Sequence, residues 1–142
     1  MGAQTGTIEA VMTAFPYSID ADAHAASAAT MLQQLGIHHL PVRDGGRVIG
    51  LISADDLKHA ASVGRDLTFA GNVRVADVCT HEVYIVEPEA TLPDVLQHMA
   101  EHRLNVVLIV RRGHLVGIYT FGDACRGYAG ALQKEIDALK RR

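Results

Sequence analysis

Two stretches of this chain end in the same construction: a glycine, two apolar residues, a hydroxyl, two spacers and an aspartate. They are Gly50-Leu51-Ile52-Ser53-Ala54-Asp55-Asp56 and Gly117-Ile118-Tyr119-Thr120-Phe121-Gly122-Asp123. A hydroxyl followed three residues later by an acid is the pattern of a capping box at a helix start. The same pattern suits a nucleotide. Free N–H groups at a helix N-terminus attract an anion, the hydroxyl can donate to a phosphate oxygen, and the carboxylate can accept both hydroxyls of a ribose. A glycine three residues before the hydroxyl would let a ligand approach the backbone closely. For one copy alone the cap is the stronger reading. Two copies in matching register favour a nucleotide site, and the two roles are compatible.

The register is matched because the chain repeats with a period of 67 residues. Val11-Met12-Thr13 falls on Val78-Cys79-Thr80, Tyr17 on Tyr84, Gly46 on Gly113, Gly50 on Gly117, Ser53 on Thr120 and Asp56 on Asp123. Self-similarity at a fixed period means one supersecondary unit built twice. In the first copy, Tyr17-Ser18-Ile19 reads as a short strand before the turn Asp20-Ala21-Asp22. Ala25, Ala28, Ala29, Leu32 and Leu35 form an apolar stripe at helical spacing, stopped by Gly36. Strands over 39–43 and 47–53 flank Asp44-Gly45-Gly46, a hairpin signal. A helix follows Ser53. The second copy gives a strand over 83–86, a helix over 91–102 and strands over 106–111 and 114–120. A helix then runs to the C-terminus. Thr91 and Pro93 open the 91–102 helix as a capping hydroxyl and an early proline, with Asp94 as its acid. The expected organisation is repeat 1 over 8–62, a linker over 63–74, repeat 2 over 75–133 and a helix end over 134–142. In that end Lys140, Arg141 and Arg142 suit the negative end of the helix dipole.

Composition bounds the class. With 142 residues the chain is about one domain's worth, and 49% apolar with 20% charged residues is ordinary for a globular protein. A net charge of -3 argues against a general nucleic-acid binder. Cys79 and Cys125 form no CxxC or zinc-ribbon spacing, and reduced thiols in a cytoplasmic protein are the expectation. Met1 to Thr7 carries no export signal, and the longest apolar run, Val106 to Val110, is too short for a bilayer. His98 and His102, at i and i+4, could ligate a metal, but with Asp94, Gln97 and Glu101 they read as the polar face of a helix. Cys79 and His81 lack a third ligand. No metal or cofactor is expected. No GxSxG, HExxH or Walker motif is present, so no catalysis is expected either.

The runs Leu35 to Leu57 and Leu104 to Asp123, with their repeated Gly-x-x-Ser/Thr-x-x-Asp endings, resemble the two halves of a CBS-domain pair, often called a Bateman module. The likeness extends over roughly residues 8 to 130. It implies an α/β fold, a tandem pair of β-α-β-β-α repeats with pseudo-two-fold symmetry, and clefts between the repeats that bind AMP, ADP, ATP or S-adenosylmethionine. It also implies a homodimer and output to a separate, unidentified protein effector. By the resemblance, Asp56 and Asp123 hold ribose, and Ser53 and Thr120 meet phosphate. Tyr17, Ser18 and Ile19, and in the other copy Tyr84, Ile85 and Val86, lie against adenine, with Leu40 and Val107 as apolar walls. His38 and His39 stand where relatives reach the phosphate in the other copy's cleft, that of Asp123. The second copy has Leu108 in place of Pro41 and Asn105-Val106 in place of the histidines, so the Asp56 cleft is expected to be the weaker one. Arg126, one helical turn after Asp123, could add charge, though a solvated helix cation is an equally good reading. An interaction module that dimerises without ligand remains the alternative.

Overall fold

The computed structural model describes residues 6–141, so Met1 to Thr5 and Arg142 lie outside the described residues. Its elements follow the repeat. The first copy has α1 (Ile8–Val11), β1 (Thr13–Ala14), β2 (Ile19–Asp20), α2 (Ala25–Leu35), β3 (His39–Asp44), β4 (Arg47–Ser53) and α3 (Ala54–Ser62). After a 3₁₀ turn at Phe69–Gly71 come α4 (Val75–Val78), β5 (Ile85–Val86), α5 (Leu92–His102), β6 (Val106–Arg111), β7 (His114–Thr120) and α6 (Phe121–Lys140). Among the described residues no helix is long and apolar enough to cross a membrane.

Two sheets result. One has the order β2-β3-β4, with β2 parallel and β4 antiparallel to β3. The other has the order β1-β7-β6-β5. Residues 40–42 and 106–109 are buried without a break, as expected of central strands covered on both faces. The first core gathers Ile19, Ala25, Ala28, Leu32, Leu40, Val42, Ile52 and Leu57 with Val73 and Val75. Ala29 and Leu35, placed on the α2 stripe by their spacing, are exposed instead. The burial is supplied by positions 25, 28 and 32, and the wider stripe faces solvent.

Contacts group the chain into two compact units that do not follow its linear order. Among the described residues, one unit contains 6–14, 84–109 and 117–141; the other contains 15–83 and 110–116. The short segments ahead of each repeat are therefore exchanged. Val75 N donates to Ala23 O at 2.8 Å, and Thr80 N and Leu51 N exchange bonds with each other's carbonyl oxygens at 2.8 and 2.9 Å. In the other unit Ile8 N donates to Ala90 O at 2.8 Å, and Thr13 pairs with Ile118. Every one of these partners is related by the 67-residue period. The exchange also explains Gly50 and Gly117. A Cβ on Gly50 would lie 2.5 Å from Thr80 O, and one on Gly117 would collide with the Met12 side chain. Gly50 thus admits the exchanged backbone of Thr80, and Gly117 admits the Met12 side chain.

The copies differ where the chain must take a left-handed conformation. Gly36 ends α2 at φ 63°, whereas its counterpart Arg103 ends α5 at φ 54°. Thr91 is the N-cap of α5, but its side chain makes no capping bond, so the expected hydroxyl cap is absent.

Two stability outcomes follow. Gly50→Ala should cost about 1–3 kcal/mol, because the clash is with backbone that cannot move aside cheaply. Arg103→Gly should stabilise by about 0.5–1 kcal/mol, because glycine adopts the left-handed region without a steric penalty. Urea unfolding midpoints check both.

Candidate functional site

Both helix starts are closed capping boxes. Ser53 N donates to Asp56 Oδ2 at 2.9 Å and Asp56 N donates to Ser53 Oγ at 3.2 Å. Thr120 N donates to Asp123 Oδ2 at 2.9 Å and Asp123 N donates to Thr120 Oγ1 at 3.1 Å. Each carboxylate therefore has one oxygen fixed by the cap. The other oxygen takes a side-chain donor, and here the copies diverge. Asp56 Oδ1 accepts from the Thr80 hydroxyl at 3.0 Å, while Asp123 Oδ1 accepts from Arg126 Nη2 at 2.5 Å. Arg126 is 73% exposed at its side chain, so this ion pair can open at little cost.

The electrostatics of Asp123 follow from these bonds. Partial burial would raise its pKa. The Thr120 backbone and hydroxyl bonds and the Arg126 guanidinium outweigh that effect and hold it below the usual carboxylate value. Asp123 is thus an anion over the whole physiological range. Thr80 is a further site residue, and its signal in the sequence is the matched Thr13/Thr80 pair of the repeat.

The tyrosine segments are also unequal, and Pro41 is the reason. Leu108 occupies the place of Pro41, and its N–H donates to Tyr84 O at 2.9 Å. Proline has no N–H to give to Tyr17. Accordingly Ser18, whose counterpart Ile85 opens β5, lies outside β2, which begins at Ile19, and Tyr17 is 62% exposed. Ser18 Oγ accepts from Arg43 Nε at 2.6 Å. In the second copy β5 is confined to Ile85–Val86, short of the expected 83–86, and Val83 and Tyr84 precede it. The Tyr84 ring stacks on His98 at 4.2 Å, and His98 lies 4.2 Å from His102. His98 is therefore a packing residue under Tyr84 and not a freely solvated one. Burial, then Asp94, raises the Tyr84 pKa. Leu40 and Val107 have no exposed surface.

His39 sits on β3 opposite Ser53. Burial is the main influence on its pKa and His38 the next; together they outweigh the attraction of Asp56 and Asp55 and lower it from 6.5. His38 is exposed. Cys79 is not on a strand but caps α4, with Sγ 3.6 Å from His81 Nε2. Burial, then Asp56, raises its pKa, which disfavours the thiolate a metal would need. Among the described residues no group of three or more His, Cys, Asp or Glu could hold a metal ion.

The arrangement can therefore do two things chemically. It presents a carboxylate with one oxygen outside the cap at each of two helix starts, and it sets a cation beside one of them.

Known proteins match this description. The family model for the CBS domain matches residues 8–63 and 75–130. The chain is 31% identical over 97 residues to the CBS domain-containing protein YhcV of Bacillus subtilis, covering 68% of this chain and 66% of that protein, just under two thirds of its length. The AcuB structure from Vibrio cholerae superposes with a TM-score of 0.79 at 24% identity, covering 92% of this chain and 96% of that one. The CBS domain pair of MJ0100, solved in complex with 5'-methylthioadenosine and S-adenosyl-L-methionine, superposes with a TM-score of 0.76 at 21% identity, covering 88% of this chain and 97% of that one. At these identities the structural matches speak to the fold, and the two family-model matches speak to descent. The repeat, the paired α/β units and the two helix starts belong together: the chain is a member of the CBS-domain family and carries a CBS pair, a regulatory module.

Proposed function

We propose that this chain binds an adenosine-containing ligand, an adenine nucleotide or S-adenosylmethionine, and relays its presence to a separate protein without catalysis of its own. One observation carries the reading. Each helix start holds a carboxylate whose Oδ2 is locked in the cap while Oδ1 rests on a side-chain donor that can be replaced. Ribose hydroxyls can take the place of that donor. At Asp123, ribose would release Arg126 into the space where a phosphate would meet Thr120 and the α6 N-terminus, and guanidinium with phosphate is a strong charge-assisted pair. Relatedness to a CBS pair that holds two adenosine derivatives supports the same class of ligand. Ligand binding can alter output only through a difference in affinity between two conformations.

The ligand class is tested by thermal shift with AMP, ADP, ATP, S-adenosylmethionine, NAD and the guanosine phosphates. Adenosine compounds should raise the melting temperature more than guanosine compounds, since native-state binding stabilises by mass action. No binding by any adenosine compound at millimolar concentration would leave the ligand-independent interaction module as the better reading.

Calorimetry on variants tests the site. A charge-assisted bond contributes roughly 1.5–3 kcal/mol, so Asp123→Asn should weaken binding about tenfold or more, and Asp56→Asn should retain most of it. Arg126→Ala should weaken ATP while sparing adenosine. If it strengthens adenosine and leaves ATP unchanged, Arg126 only masks the carboxylate.

The pH response is set by His39. Because its folded pKa lies below 6.5, the folded chain resists a proton that the unfolded chain accepts. Stability from this group is complete above pH 6.5 and is lost as pH falls toward the folded value. His39→Gln should flatten that loss in melts from pH 7.5 to 5. Any phosphate affinity due to a charged His39 should appear below pH 6.5, and a flat response there removes the residue from the site.

A further inference from the structure

At matching positions of the two copies one space is filled differently. On α3 of the first copy Leu57 is 9% exposed and packs in the core. Its counterpart on α6 is Ala124, a much smaller side chain, while Phe121, 60% exposed, takes the place of Ala54. A cavity of about 350 Å³ lies here, between α5 and the first turn of α6, walled by Leu96, Met99, Leu104, Phe121 and Ala124. Its volume is in the range of small-molecule sites. Arg103 also lines it. This residue ends α5 at φ 54°, a left-handed conformation that its counterpart Gly36 adopts without a steric penalty. Among the described residues its guanidinium has no hydrogen-bond or ion-pair partner. An unpaired cation kept in a disfavoured backbone conformation, on the wall of an apolar cavity, is a pointer to function.

We propose that this cavity binds a small carboxylate with an apolar body, the body between α5 and α6 and the carboxylate on Arg103. The residues select each half of that ligand. Walls of leucine, methionine and phenylalanine gain from an apolar occupant, which removes their surface and its own from water. A planar guanidinium matches a carboxylate with two parallel hydrogen bonds. One guanidinium balances the single charge of a carboxylate, whereas a phosphate monoester would bring more negative charge than it can balance. The first copy cannot hold the same ligand, because Leu57 stands in place of Ala124 and Gly36 in place of Arg103. The cavity is a separate site from the caps: Phe121 and Ala124 line it, while Thr120 and Asp123 close the helix start. Its ligand is independent of adenosine.

The test is a titration of the full chain, with isotope-labelled methionine methyl groups, by octanoate, octanol and octylamine. Met99 lines the cavity and Met12 and Met31 do not. Octanoate should give a saturable NMR shift at Met99 and leave Met12 and Met31 unmoved. Octanol and octylamine should bind about fivefold more weakly or worse, the scale of an ion pair with an exposed guanidinium. Arg103→Gly, which should fold more stably than the parent, should lose about the same fivefold for octanoate and nothing for octanol. Ala124→Leu restores the first copy's residue, so it should fill the cavity and abolish the Met99 shift with every probe. The absence of a saturable shift at Met99 overturns the proposal. So does equal affinity for octanoate and octylamine, which would make the cavity indifferent to charge. Octanoate affinity unchanged in Arg103→Gly, or a Met99 shift that survives in folded Ala124→Leu, overturns it as well.

Discussion

Thr80 ties the sheet of the first unit to the carboxylate of the first helix start. Its backbone exchanges two hydrogen bonds with Leu51, and its hydroxyl donates to Asp56 Oδ1. The segment that precedes the second repeat thus completes the first unit and touches the carboxylate of the first helix start. Gly50 exists to let that backbone approach, since a Cβ there would lie 2.5 Å from Thr80 O. Thr13 makes the equivalent pairing with Ile118 in the other unit. Neither repeat is complete with its own leading segment, so a single half of this chain has a broken sheet edge and an open core.

From this common plan the copies diverge at a few positions with clear physical causes. Proline at 41 withholds the N–H that Leu108 gives to Tyr84 O, so one tyrosine segment is tied to its strand and the other is not. Thr80 occupies the free oxygen of Asp56 with a neutral hydroxyl, while Arg126 occupies that of Asp123 with a cation. Under the proposed function, an anionic ligand would gain more at the second of these. This difference is a second basis, beside His38 and His39, for proposing that the two sites are unequal.

Much of this was legible in the residues. The 67-residue period, the hairpins and the helix-start boxes lie in local patterns of glycine, hydroxyl and acid, and the structure contains them at those positions. What was not legible depended on partners distant in sequence. The spacing of Gly50 and Gly117 before the hydroxyl looks the same whether a ligand or a strand lies against them. Ala29 and Leu35 extend the α2 stripe by periodicity, but only packing decides how wide a stripe is buried. Thr91 has the right identity for a cap, and side-chain rotation alone determines whether it makes the bond. The stacking of Tyr84 on His98 joins a short strand to a helix face that composition marked as polar.

The proposed function depends on whether the chain recognises adenosine at these helix starts. The most direct measurement is amide chemical-shift mapping by NMR during parallel titrations with AMP and GMP. Saturable AMP shifts are expected at the N–H groups of Thr120 and Asp123 and through Tyr84 to Val86, with GMP shifts much smaller at equal concentration. Saturable shifts confined to other surfaces, or equal responses to both nucleotides, would contradict it.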